Sequence, residues 1–406
     1  MRKTTISKTR DEAGERIWWT NALLFVTVHL AAFGGIYLYP LRTTCKSTLV
    51  LSFILWQVAC FSVTIGYHRL YAHKSFTASF GTRAVLALLG TSAFQGSIKW
   101  WVLRHRLHHV RSPANHQWYA ATRGLVWSHI GWIFYKQHYA RLYLIEKEDL
   151  EDDPVVRFQH EHYIPLAVLT SFVVPALIGN LWGDALGAFI WGGLVIAFAF
   201  SLAHWDGLQP YTDENTSRGN LITALLTCGE GNHNFHAFPH DFRSGPSSFD
   251  WDPSKWIILL LQHFGLASSL RRAPDADLLH ARQQMQLKAH HMGADRTNVP
   301  ADPSVPVMTA AQVCEYVKCN KDACVLIVDD NIVNVAGYLE DHPGGASILR
   351  KYSLTVPLTE TTDEREAVFS VKQKATPAFH GGMNNHSRIA WGKLQEYTIA
   401  QLCDSE

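Results

Sequence analysis

"TLVLSFILWQVACFSVTIGYHRLYAH", Thr48–His73, changes character once along its length. From Thr48 to Tyr67 it holds no Asp, Glu, Lys or Arg; then "HRLYAH" supplies His68, Arg69 and His73. A helix needs roughly 20 apolar residues to cross a bilayer, so this stretch reads as a membrane span that surfaces directly into a histidine pair. The fold therefore turns on two questions. Are there other such runs, and do other histidines surface beside them?

Three further uncharged runs of similar length occur: Ile17–Tyr39, Tyr163–Gly183 and Ala185–Ala203. Four buried core helices of this kind would be unusual in a soluble protein, so four spans are expected. The first run is long for a signal peptide and is followed by no small-residue cleavage site. Ala84–Ile98 is uncharged but too short to cross. Positive charge sets the orientation. Arg2, Lys3, Lys8, Arg10 and Arg16 precede the first run, and residues 68–162 are rich in Lys and Arg. The turn Pro40–Ser47 carries only Arg42 and Lys46, and the turn between the third and fourth runs only Asp184. Both termini and the 68–162 segment are expected on the cytosolic side. A net charge of +1 gives no electrostatic case for a nucleic-acid partner. Seven cysteines without a C-x-x-C pair suggest reduced thiols rather than a disulfide framework.

Histidines gather where the runs emerge. "RHRLHH" gives His105, His108 and His109 on one helical face; "SLAHWDG" gives His204; "GEGNHNFH" gives His233 and His236. With His68 and His73 these are eight imidazoles in four groups, all expected on one side of the membrane. Converging neutral imidazoles are a ready set of metal ligands. A structural zinc site would need four ligands and commonly cysteine, whereas eight histidines suit two metals with open positions. Imidazole alone does not separate iron from zinc or copper. Isolated histidines such as His29, His160 and His280 read as surface or satisfied core residues.

"GYHRLYAHKSF", "WWVLRHRLHH", "SLAHWDGLQPY" and "GEGNHNFH…FP" resemble the histidine boxes of membrane acyl-CoA desaturases of the delta-9 (stearoyl-CoA) type. The resemblance runs over residues 17–272. It implies a mainly α fold, four transmembrane helices under a cytosolic helical cap, in the endoplasmic reticulum membrane. It also implies two non-haem iron ions held by the eight histidines, and a saturated fatty acyl-CoA and O₂ as substrates. An unactivated C–H bond has no proton for a general base to take, so the metal would supply the chemistry and the protein the position. In the family, positions equivalent to Trp56 and Cys60 line the far end of the acyl tunnel. At 1.5 Å per residue Cys60 would lie about 12 Å, and Trp56 about 18 Å, from His68.

Residues 273–304 read as a connector, polar and helical before it runs into the proline-rich "NVPADPSVPV", and residues 305–406 as a small α+β domain. "DHPGGASIL" resembles the haem-binding turn of cytochrome b5. His342 would be one axial ligand of a haem b and His386, in "FHGGMNNHSRIAWGKL", the other, with His380 as the competitor. Fungal desaturases carry such a fused domain. Two axial imidazoles suit electron transfer, since neither position stays open. Cytochrome b5 reductase is the implied upstream partner, and membrane lipid surrounds the spans.

The sequence departs from the family pattern at several places. Ala237 stands where a third-box histidine is usual, and Phe200 where an asparagine reaches a metal through water. "GGLVIAFAFSLAH" is short, "VRSPANHQWY" replaces an acidic motif, and "SLTVPLTETTDEREAVFSV" looks like an insertion between the haem histidines. Either eight ligands suffice, with His240 or water filling the gap, or the metal site is incomplete and the chain serves only as a membrane-anchored haem carrier. Pro239 would end a helix before His240 could join His236 on one face.

Overall fold

Helix α1 (Trp19–Leu38) buries only Ala22, Ala32 and Gly35 and leaves Trp19, Leu23, Leu30 and Phe33 more than half exposed. So much apolar surface is costly in water and ordinary in lipid. The structure is a computed structural model. It describes residues 16–109, 131–136, 142–198, 228–229, 235, 238, 240–245, 247, 249–290, 305–342, 345–354, 363–380, 386 and 388–403.

Helix α2 (Lys46–Ala72) does not stop at Tyr67, where the uncharged run ends. From Ser62 its hydrogen bonds widen to i→i+5, and Ser62–Ala72 is nearly all buried. The chain can therefore stay helical past its first charged residue, because protein rather than water surrounds it. Lys74, at φ +49°, then turns the chain sharply. The short strand β1 (Thr77–Ala78) leads to α3 (Phe80–Thr91) and α4 (Ile98–His109). Gly90 of α3 lets α2 approach closely: a Cβ there would lie 2.7 Å from the Tyr67 ring. Two short helices follow, α5 (Glu148–Asp152) and α6 (Pro154–Glu161). Gln159 of α6 donates to the Tyr67 hydroxyl at 2.8 Å and accepts from the Ile98 amide at 3.0 Å, so it fixes α2 against the start of α4.

Helix α7 (Tyr163–Asn180) completes three helices, among the described residues, that are long and apolar enough to cross a membrane. The fourth run is helical as α8 (Ala185–Leu194), continued by Val195–Phe198, and its remainder lies outside the described residues. Asp184 caps α8 by accepting from the Gly187 amide, and takes a 2.5 Å hydrogen bond from Thr48 of α2. Beyond residue 250, α9 (Pro253–His263) packs against α2, β2 (Ala267–Ser268) pairs antiparallel with β1, and α10 (Asp275–His290) forms the expected helical connector.

The C-terminal domain begins with β3 (Val307–Met308) and α11 (Ala310–Cys319), capped reciprocally by Thr309 and Gln312. Then come β4 (Val325–Val328), β5 (Asn331–Asn334), α12 (Ala346–Tyr352), α13 (Glu364–Phe379), α14 (Arg388–Glu396) and β6 (Thr398–Leu402). The sheet order is β3-β6-β5-β4, parallel only between β3 and β6. β4 is buried on both faces. Val325 and Ile327 meet Val313 and Val368, while Leu326 and Val328 meet Ala375 and Leu394. The second half of "SLTVPLTETTDEREAVFSV" opens α13, whose Val368 is fully buried against β4.

One ion pair holds α2 to the segment before α9. Arg69 donates from Nη1 and Nη2 to the two Asp252 oxygens at 3.0 and 2.9 Å, and from Nη1 to the Phe242 carbonyl at 2.8 Å, all buried. Removing one partner leaves a buried charge uncompensated. Asp252→Ala should destabilise the detergent-solubilised protein by about 3–5 kcal/mol, read as a lowered thermal midpoint. Lys147→Ala, which removes an exposed i,i+4 pair with Glu151, should cost about 0.5 kcal/mol or less.

Candidate metal centre

The widened end of α2 sets the geometry. The His73 amide bonds the His68 carbonyl at 3.0 Å, an i→i+5 contact, and this brings two histidines five apart to ring centres of 4.5 Å. An ordinary α-helix would turn them well away from each other. His105 arrives from the last turns of α4. Its Nε2 lies 2.9 Å from Nε2 of His73, and its ring centre 4.7 Å from that of His68. The three rings are mutually near-perpendicular, at 82–89°, and one nitrogen from each falls within 4.8 Å of the others. Neighbouring ligands held at about 2.1 Å on one ion sit about 3 Å apart, so this spacing fits a metal.

Neighbouring side chains hold these rings. Trp101, one turn before His105, stacks on it at 4.7 Å and 10°. Arg106 forks onto Asp149 at 2.8 and 2.6 Å and donates to the Tyr71 and Glu146 carbonyls. Burial pushes the Asp149 carboxyl up, but Arg106 and Lys74 outweigh it and hold it below the usual carboxylate range. The fork is therefore charged at neutral pH.

His240 does not join the three. Its Nδ1 donates to the His73 carbonyl at 2.7 Å, and its Nε2 is buried with no hydrogen-bond partner among the described residues. Burial holds its imidazole below the ordinary histidine range, against the pull of that carbonyl. The backbones of His108 and His109 continue α4, while their side chains, and all of His204, His233, His236 and Ala237, lie outside the described residues. Cys60 is buried, and Trp56 is half-buried, edge-on to Phe53 at 5.8 Å.

In the C-terminal domain the structure pairs His342 with His386, ring centres 6.4 Å apart and 27° from parallel. A metal about 2 Å from a nitrogen of each ring would separate the centres by roughly 6 Å, so the pair fits an ion held between them. His342 Nδ1 donates to the Gly345 carbonyl at 3.1 Å and His386 Nδ1 to that of Phe379 at 2.9 Å, bonds that orient a ligating imidazole. Burial pushes His342 down to about 4, against the Gly345 carbonyl and with His386 adding to the shift. His380, the competitor, is instead half-exposed and paired with Asp329 at 2.8 Å.

No family model matches the chain. Individual relatives do. It is 32% identical over 394 residues to the "Probable acyl-CoA desaturase" of Schizosaccharomyces pombe, covering 94% of this chain and 77% of that one. It is 34% identical over 371 residues to "Acyl-CoA desaturase 1" of Saccharomyces cerevisiae, covering 89% and 69%. The chain belongs to the acyl-CoA desaturase family. "Stearoyl-CoA desaturase 5" of Bos taurus matches at 34% over 283 residues, 65% of this desaturase and 84% of its own length.

Sequence reasoning missed the desaturase's supporting residues: Trp101, Arg69 with Asp252, and Arg106 with Asp149. The sequence signal was an arginine directly after a box histidine in both "HR" pairs, His68–Arg69 and His105–Arg106. Trp101→Ala leaves every histidine in place but frees the His105 ring. It should lower metal affinity about 10–100-fold, measured as metal retained by the full chain after dialysis against graded chelator.

Proposed function

We propose that this desaturase inserts a cis double bond at the delta-9 position of saturated fatty acyl-CoA, stearoyl or palmitoyl. The observation that carries the reading is the convergence of His68, His73 and His105 at the end of an apolar helix, within a chain whose relatives are acyl-CoA desaturases. Two non-haem irons would be held by these three together with His108, His109, His204, His233 and His236. Bound there, the pair would supply the O₂-dependent oxidising power that C–H removal requires. The balance is simple. The acyl chain gives up two protons and two electrons, two more electrons and two protons come from outside, and O₂ leaves as two waters.

The residues of the chain do the rest. α2 positions the acyl chain beside the imidazoles, with Cys60 and Trp56 at the closed end of a tunnel that excludes water. The His342–His386 pair holds haem b and passes electrons singly, reloaded by cytochrome b5 reductase. Lysine and arginine asymmetry supports an endoplasmic reticulum topology with both termini cytosolic. The second reading, a haem carrier with an incomplete iron site, is favoured by one feature, Ala237 in the third box.

Purified protein given saturated acyl-CoA, reductant and O₂, with product chromatography and iron analysis, separates the two: mono-unsaturated product with about two non-haem irons per chain for the enzyme, neither for the carrier. Inserting a histidine between His236 and Ala237 should raise iron content and turnover more than Ala237→His, because it restores both a ligand and the downstream phase of about 100° per residue. Equal iron and turnover in the parent would mean the site is already complete. Trp56→Ala should shift the product profile toward longer chains; an unchanged profile at normal turnover removes Trp56 from the tunnel.

A further inference from the structure

The face that bears His73 also receives the C-terminal domain, and one residue touches both. The Arg271 amide donates to the Ser75 carbonyl at 2.8 Å, and its own carbonyl accepts from the Phe242 amide at 3.1 Å. These bonds fix it beside His73 and His240. Its guanidinium reaches across to the Glu340 carbonyl at 3.2 Å, the Asp341 carboxylate at 3.3 Å and the Glu340 carboxylate at 3.4 Å. These two acidic residues immediately precede His342. A second contact lies nearby: Glu146, 3.4 Å from Lys74, packs on Gly345 so tightly that a Cβ there would meet its carboxylate at 2.5 Å. A third joins Lys393 of α14 to Asp277 of α10 at 3.3 Å. His240 lies within this contact. It is bonded to the His73 carbonyl at 2.7 Å and lies near His342.

We propose that this contact is the electron-input face of the desaturase: the His342 turn docks through Arg271 and Glu146 onto the segment bearing His73, with His240, bonded to the His73 carbonyl, lying at the contact. The proposal rests on the reading of the two histidine sets as haem and iron sites. With both groups bound, each passage would move one electron from the haem held by His342 and His386 to the metal held by the first-box histidines; two passages would serve one double bond, and a flavin-dependent reductase would reload the donor each time. The strength of the contact suits this cycle. Arg271, Glu340 and Asp341 are 31%, 87% and 57% exposed, and exposed ion pairs are individually weak and screened by salt. The turn can therefore leave to meet its reductant and return, while the covalent connector keeps its local concentration high.

The test uses the full chain carrying haem and iron. The haem is reduced, mixed with acyl-CoA and O₂, and its reoxidation followed by absorbance. Arg271→Glu and the double variant Glu340→Lys/Asp341→Lys should each slow reoxidation about tenfold, with the haem spectrum and iron content unchanged. Combining Arg271→Glu with the double variant should recover most of the rate. Independently of turnover, Arg271→Cys/Asp341→Cys should yield a 271–341 cross-link with a short bis-thiol reagent, identified by mass spectrometry of the peptides. Should Arg271→Glu fail to accumulate, the double variant, altered only at exposed positions, carries the kinetic test. Parental reoxidation rates in the reversal variants, or no 271–341 cross-link, overturn the proposal. A parent chain that binds no haem overturns the underlying reading, and the proposal with it.

Discussion

Arg69 cannot be solvated where it stands, and the arrangement of the membrane-proximal half follows from that. A guanidinium this deep needs a carboxylate in fork geometry. Asp252 supplies one and is held in turn by the Ser244 and Lys255 amides at 2.8 and 3.0 Å. Gly229, at φ +119°, lies so close that a Cβ would meet the Asp252 carboxylate at 2.6 Å. One ion pair thus gathers the end of α2, the segment just before the third histidine box and the start of α9. Arg106 does the same on the other side through Asp149. In both boxes a histidine is followed by an arginine, and neighbouring helical positions point about 100° apart. The imidazole faces the cluster while the guanidinium anchors the helix behind it.

The apolar runs made the membrane helices legible, because a bilayer imposes a length that sequence displays directly. Three of the four runs return as helices long enough to cross, and the fourth is helical as far as it is described. The widened turn of α2 was not legible. It arises from close packing of Gly90 on Tyr67 and from the buried ion pair, both of which join residues distant in sequence. Yet the five-residue spacing of His68 and His73 was its trace, since no regular α-helix puts such a pair on one face.

The C-terminal domain shows the same division. "DHPGG" and a histidine some way downstream suggested a pair, and the geometry separates His386 from His380 through Asp329, which occupies His380. In the stretch between them, the segment that looked inserted runs into a helix with a buried stripe: Val368 and Ala375 of α13 lie seven apart on one face and fill both sides of β4.

The gap at Ala237 poses the remaining chemical question, and His240 bears on it directly. A histidine has two nitrogens, and ligation commonly uses one while the other donates to a carbonyl. His240 already makes that donation, to His73 itself. Its second nitrogen is buried but stands apart from the three converging imidazoles, among groups that include Asp341 and His342. Bonded in this way, His240 meets the first box through the His73 backbone and not through the cluster of rings.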